Sequence, residues 1–317
     1  MKALPLAGQT AINIQAGSSR WPPKRSRAPL RACAVLLAAI PILSPHALAQ
    51  NPQVSSNLAS PAQDWASDCA ANEVSVILHP GSFLRYHLHV VDEKGDQLRD
   101  QIETPQGTVA RLIQRDGQAL TAAEDSAERN RLNSLAASPE AFARRAQRDQ
   151  GNRKMGVDLL KLMPDAMLWS YAPGQPQPPD QPATGTPLVV LDFKPKPGWS
   201  PPNLESELFT GLEGRVWIDP RTRHMVQLEA DVFRAVNIGW GMLAHIYPGG
   251  TVILQQTNAG GERWVVDRIV ERLTLRELMV RNIEQRLLFD AANFQPIPPV
   301  SYQQAIKMLL DTPIALR

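Results

Sequence analysis

Two of the six histidines, His87 and His89, fall two residues apart. On a strand that spacing puts both imidazoles on one face, where a pair can ligate zinc. Zinc takes three or four N, S or O donors, and spacing sets no third ligand here, although His79 is close in sequence. His224 and His245 stand alone. A second pattern, Gly239-Trp240-Gly241-Met242-Leu243-Ala244, fits G-x-G-x-x-A. A dinucleotide site needs a helix after that turn, and Pro248-Gly249-Gly250 ends any helix within a few residues. Glycines on both sides of Trp240 point instead to a bulge or bend in a curved sheet. The carboxylates of Asp219, Glu229 and Asp231 could act as acids or bases, but their pattern places them on a turn and on a wet strand face. The chain contains no G-x-S-x-G, no H-E-x-x-H and no phosphate-cradling loop. No catalytic residue, metal or cofactor is expected, and the chain reads as a protein that is not an enzyme.

The elements that hold these residues are mostly strands. In 213–232, Val216 and Ile218 flank Trp217, and the polar run Asp219-Pro220-Arg221-Thr222-Arg223-His224 follows. Then Val226, Leu228, Ala230 and Val232 alternate with Gln227, Glu229 and Asp231. This is the period of a strand with one buried face, and the two runs predict a β-hairpin. Residues 83–91 alternate too, with Leu84, Tyr86, Leu88 and Val90 on one face. Turns near Gly95 and Gly107 then give a three-strand meander.

The period changes at Thr121-Ala122-Ala123-Glu124, a capping box that opens a charged helix to about residue 136. Ser138-Pro139 opens another, and residues 157–163 predict a short apolar helix ended by Pro164. The charged helices are expected on the surface, with solvated charges. Residues 62–71 predict a short helix that puts Trp65 and Cys69 on one face. Ten of the 28 prolines fall in 173–202, which predicts a long covering loop around a strand at 188–193. Strands are expected at 251–257, 264–278 and 281–289, and a helix at 301–310 with Ser301 as its cap.

Composition narrows the class. The formal net charge is +2, but Lys2, Arg20, Lys24, Arg25, Arg27 and Arg31 lie in a leader with no acid, so the remainder carries −4. A mildly acidic body argues against a nucleic-acid partner. Those basic residues precede the apolar run 32–43, and Ala47-Leu48-Ala49 supplies small residues for cleavage after Ala49. The apolar run is shorter than the ~20 residues that span a bilayer, so no transmembrane span is expected after cleavage. The chain is therefore read as periplasmic or otherwise exported. Cys69 is then its one cysteine, and a buried, inert thiol is expected.

The run G-x-V-W-I-D-P-x-T, carried by Gly214, Val216, Trp217, Ile218, Asp219 and Thr222 and followed by the alternating strand, resembles the outer-membrane lipoprotein-sorting (LolA-like) superfamily. The likeness extends to Leu120-Thr121 and to the Trp264 strand, over about residues 75–300. It is closer to a large bacterial branch of that group than to the periplasmic carrier itself. This chain is longer than the carrier and adds the charged helices and the Pro-rich segment. The resemblance implies an α+β fold, an incomplete antiparallel β-barrel with helices covering an apolar concavity that holds acyl chains. No functional residue of the carrier maps one to one onto this chain.

The expected organisation is a signal peptide over 1–49, a tail and short helix over 50–72, and one LolA-like domain over 73–317. That domain carries a helical insert near 120–164 and the Pro-rich loop. The expected function is non-enzymatic binding or carriage of a lipid or lipoprotein acyl chain in the cell envelope. The alternative is an envelope scaffold with a filled core, and a metal-dependent hydrolase ranks below both. The expected cavity lining is Trp217, Val226, Leu228, Phe233, Trp240, Met242 and Trp264.

Overall fold

The computed structural model describes residues 60–178 and 185–317. The expected signal peptide over 1–49 and most of the tail after it lie outside the described residues, as does part of the Pro-rich loop, 179–184.

The chain forms α1 (Ala62–Leu78), then β1 (Phe83–Asp92), β2 (Gly95–Thr104), β3 (Gly107–Arg115) and β4 (Gln118–Ala119). Helices α2 (Ala122–Ala136) and α3 (Pro139–Ala166) follow. Next come β5 (Met167–Tyr171), β6 (Val189–Pro195), β7 (Leu212–Ile218), β8 (Met225–Val232), β9 (Val236–Ile238) and β10 (Ala244–Ile246). The long strands β11 (Thr251–Asn258), β12 (Trp264–Glu277) and β13 (Arg281–Ile297) precede the last helix, α4 (Tyr302–Asp311).

All 13 strands belong to one antiparallel sheet, in the order β4-β3-β2-β1-β13-β12-β11-β8-β7-β6-β5, with β9 and β10 attached through β12. The fold is therefore α+β, and the sheet is not closed into a barrel, since β4 and β5 form its edges. Pairing of β1 with β13, Phe83 opposite Ile297, joins the two ends of the described chain.

The hairpin of β7 and β8 forms as expected, and Asp219 is its turn residue. Its Oδ1 accepts the backbone N–H groups of Arg221 and Thr222 at 2.7 and 3.0 Å. The facing of β8 needs one correction. Trp217 pairs with Gln227 and Ile218 with Met225, which leaves Val226 as an extra residue in a bulge. The bulge resets the alternation. Met225 and Leu228 pack with Val216 and Ile218, whereas Val226 packs with Trp217 and Val190 on the other face. Gly214 is required where β7 meets its neighbours. A Cβ there would collide with the Glu229 carbonyl oxygen and lie 2.8 Å from Phe193.

Two helix expectations also change. Helix α1 runs on to Leu78 rather than ending near 71, and α3 is one helix of 28 residues from Pro139 through Pro164. Pro164 sits in the last turn, where its missing N–H costs one intrahelical bond close to the helix end. Its carbonyl accepts Gln63 Nε2 at 2.8 Å and Trp169 Nε1 at 3.2 Å, tying α3 to α1 and β5. The capping boxes at Thr121/Glu124 and Ser301/Gln304 are both formed.

The charges of α2 are not all solvated. Glu128 is buried and accepts the Leu112 N–H at 2.8 Å, and Asp125 pairs with the buried Arg111 at 2.7 Å. The side of α2 nearest the sheet thus satisfies strand and helix-end groups through ions. Its apolar anchor is Leu132, in a core with Ile102, Val109, Phe142, Tyr302 and Ile306.

Cys69 is buried on α1 with Trp65 against Val216, Ile218 and Met225. Burial, helped by the nearby Glu73 and Asp68 charges, pushes its thiol well above the ordinary range. The thiolate is the reactive form. Native protein is therefore expected to leave Cys69 unlabelled by a maleimide that labels it fully in urea, read by mass on the Cys69 peptide. Rapid native labelling would show that α1 lifts readily from the sheet.

Candidate functional site

One large cavity, about 1010 Å³, lies between the sheet and helices α1 and α3. It is at the upper end of the roughly 300–1,000 Å³ typical of small-molecule sites. A contiguous run of strands from β3 to β8 contributes to its wall. The sheet side presents Leu84 and Tyr86 of β1, Leu254 of β11, Trp264 and Val266 of β12, and Phe294 of β13. The helix side presents Val76 and Ile77 of α1, and Phe142, Leu159 and Leu160 of α3. Strand alternation explains Leu84 with Tyr86 and Trp264 with Val266, because each pair is two residues apart.

Several polar groups on the wall are engaged, whereas Arg263 Nε is buried without a partner. Glu103 accepts Arg263 Nη2 at 3.1 Å on both oxygens and the Leu84 N–H at 3.1 Å. Tyr86 donates to Gln101 Oε1 at 3.1 Å and sits 5.4 Å from the Phe294 ring. Burial, with the Glu103 charge behind it, raises the Tyr86 phenol well above its ordinary value. Tyr86 is therefore a neutral hydrogen-bonding group at any ordinary pH.

Helix α1 is fastened over this space by the turn between β7 and β8. Asn72 Nδ2 donates to the Thr222 carbonyl at 3.0 Å, and Asp68 pairs with Arg223. The Arg223 guanidinium lies 4.2 Å from the centre of the Trp65 ring. Glu73, 4% exposed, accepts the Met225 N–H at 2.9 Å and Gln256 Nε2 at 2.9 Å, and contacts His224 Nδ1 at 3.1 Å. The His224 ring stacks on Trp264 at 4.9 Å. Glu73 and Trp264 both line the cavity, so this cluster ties the cover directly to the wall.

Of the residues expected from sequence to line a concavity, Trp264 does line this one. Leu228 is half-buried in the adjoining cores on the face it shares with Met225. Trp217 and Val226 lie on the opposite face, and Trp217 Nε1 donates to the Pro176 carbonyl at 2.8 Å. The Pro-rich segment therefore covers that second face of the hairpin. Phe233, Trp240 and Met242 are exposed. Gly239-Trp240-Gly241 is not a bend within a strand but the turn that joins β9 to β10, with φ positive at all three residues.

Sequence reasoning did not pick the helix side of the cavity. Phe142 and Ala146, and Gly156 and Leu160, each four apart, were the available signal, masked by the arginines and acids between them. His87 and His89 do not converge. His87 Nδ1 lies 3.3 Å from Asn293 Nδ2, and His89 Nε2 lies 2.8 Å from Asp96. Among the described residues, no three His, Cys, Asp or Glu side chains are grouped to hold a metal ion. No helix among them is long and apolar enough to cross a membrane. Compared with protein-family profiles, with curated proteins and with solved structures, the chain finds no match.

Proposed function

We propose that this is an exported, non-enzymatic envelope protein that binds or carries a lipid or lipoprotein acyl chain. The observation that carries the reading is the cavity of about 1010 Å³ with apolar walls between sheet and helices. Each CH₂ buried there contributes about 0.8 kcal/mol, so a long chain binds with few polar contacts. The LolA-like resemblance supports the same arrangement, an antiparallel sheet with helices over an apolar concavity. The basic leader, apolar run and Ala47-Leu48-Ala49 support export by an N-terminal signal. The cavity opens to solvent beside exposed residues such as Gln106 and Gln147, and the Glu73 cluster holds α1 in place over the rest of it.

Native mass spectrometry of protein purified gently from cells is expected to show an added mass in the lipid range. A fluorescent fatty acid is expected to bind and to be displaced by unlabelled acyl chains. Leu254→Trp fills space at the cavity wall and is expected to weaken that binding by at least about tenfold with little change in melting temperature. Protein that carries no adduct and ignores fatty acids overturns the proposal and favours an envelope scaffold.

A further inference from the structure

Far from the cavity, the sheet ends in an apolar tip. Strand β12 runs from the cavity wall at Trp264 to Glu277, a length of roughly 40 Å at about 3.3 Å per residue. At that far end Ala244 of β10 pairs with Glu277, and the Leu278 N–H donates to the Leu243 carbonyl at 3.1 Å. The β9–β10 turn and the β12–β13 turn therefore emerge side by side. Both turns carry large apolar side chains into solvent. Trp240 is 88% exposed and Val280 86%, with Met242, Leu278 and Met279 more than half exposed. Scattered single apolar residues are ordinary on a surface, but five on two adjoining turns form a patch.

The backbone is also unusual there. Trp240, Leu278 and Met279 have φ values of 56°, 46° and 64°, the left-handed region that favours glycine or asparagine. Bulky side chains in that region carry a conformational cost, which is typical of functional sites. The tip is not a groove, because the side chains project outward from turns above the small core of Val236, Ile238, Ala244, Ile246 and Leu275. Two arginines flank it, Arg276 on β12 and Arg281 at the start of β13. Neither forms an ion pair among the described residues, and Arg276 Nε is buried without a partner. Glu277 is the carboxylate between them and is engaged in contacts of its own.

We infer that this tip docks on a bilayer surface containing anionic phospholipid. Trp, Met, Leu and Val side chains enter the headgroup and upper acyl region, where tryptophan is favoured, and Arg276 and Arg281 meet the phosphates. The inference goes beyond the acyl-chain reading and does not depend on it, because the tip and the cavity share no residue.

The test is co-sedimentation of the protein, as purified from cells, with vesicles of equal parts phosphatidylcholine and phosphatidylglycerol. Vesicles of phosphatidylcholine alone serve as the comparison, at low and high ionic strength. Wild type is expected to bind the mixed vesicles, less so the neutral ones, and less at high salt. W240S/V280S in the same processed form is expected to lose at least about tenfold in partitioning, with unchanged melting temperature and fatty-acid binding. If that variant does not fold, Met279→Asp is expected to give the same loss. Wild type that ignores mixed vesicles at low salt overturns the inference, as does a folded variant that binds like wild type. A stable dimer in light scattering that dissociates with W240S/V280S also overturns it, because the tip would then be a self-association surface. Loss of fatty-acid binding by Leu254→Trp with vesicle binding intact would separate the two sites.

Discussion

Glu73→Ala is expected to lower the stability of the protein by about 2–4 kcal/mol, measured by urea unfolding, since each stranded buried group costs roughly 1–3 kcal/mol. Glu73 is the buried acceptor for the Met225 N–H and Gln256 Nε2, and it also contacts His224 Nδ1. Alanine leaves the first two without a partner on the inner side of α1, and a side chain too short to close the gap. Glu73→Gln keeps the shape and one acceptor oxygen but turns an amide nitrogen toward donors, so an intermediate loss is expected. The same substitutions loosen the cover. Hydrogen exchange over Ala62–Leu78 is expected to rise in Glu73→Gln more than exchange over β1–β3. A bound fluorescent fatty acid is expected to leave faster as well. A cost below about 0.5 kcal/mol, the size of an ordinary surface change, would show that the cluster does not hold α1 to the sheet.

Local patterns in the sequence carried as far as neighbouring residues decide the outcome. The β7–β8 hairpin, the meander of β1 to β3, the Thr121/Glu124 capping box and the Ser301 cap follow from period, turn residues and helix-end chemistry. The expected α+β class with a large antiparallel sheet holds for the same reason. Val226 was misplaced because a bulge depends on how the partner strand pairs, and an unbroken alternation of apolar residues contains no trace of it. Pro164 reads locally as a stop, yet α3 includes it because it falls in the last turn, where the missing N–H costs one bond, and its carbonyl, free at the helix end, accepts Gln63 and Trp169.

The cavity was the least legible part. Its wall joins β1 to β13 and β11 to β12, and its other side is α3, so its residues come together only after the sheet order is set. Aromatic residues do not by themselves declare their surroundings. Trp264 lines the wall, Trp217 packs on the opposite face and Trp240 stands in solvent. Exposure of Trp240 and Val280 is likewise fixed by the pairing of β10 with β12, which brings two turns together that are nearly forty residues apart in the chain.

Arg111→Met is expected to cost about 3–5 kcal/mol, the range for breaking a buried ion pair by removing one partner. Arg111 is 2% exposed and stands where β3, the start of α2 and the end of α4 meet. Its Nη2 donates to Asp125 Oδ1 at 2.7 Å, and its Nη1 to the Leu309 and Thr312 carbonyls at 2.6 and 2.8 Å. The cation thus neutralises an acid in the first turn of one helix and satisfies carbonyls at the C-terminus of another; only the second contact is favoured by a helix dipole, and the first rests on the Asp125 charge. Methionine fills much of the volume, so packing loss alone should stay under about 1.5 kcal/mol. The remainder is the unpaired Asp125 carboxylate, whose side chain is 14% exposed, and the unmatched carbonyls. R111M/D125A is therefore expected to be more stable than R111M by about 1 kcal/mol or more, because it removes the stranded charge. If the double variant is instead less stable than R111M, the cost lies in packing and the carbonyl contacts, and the Arg111–Asp125 pair is not what joins the two helices to the sheet.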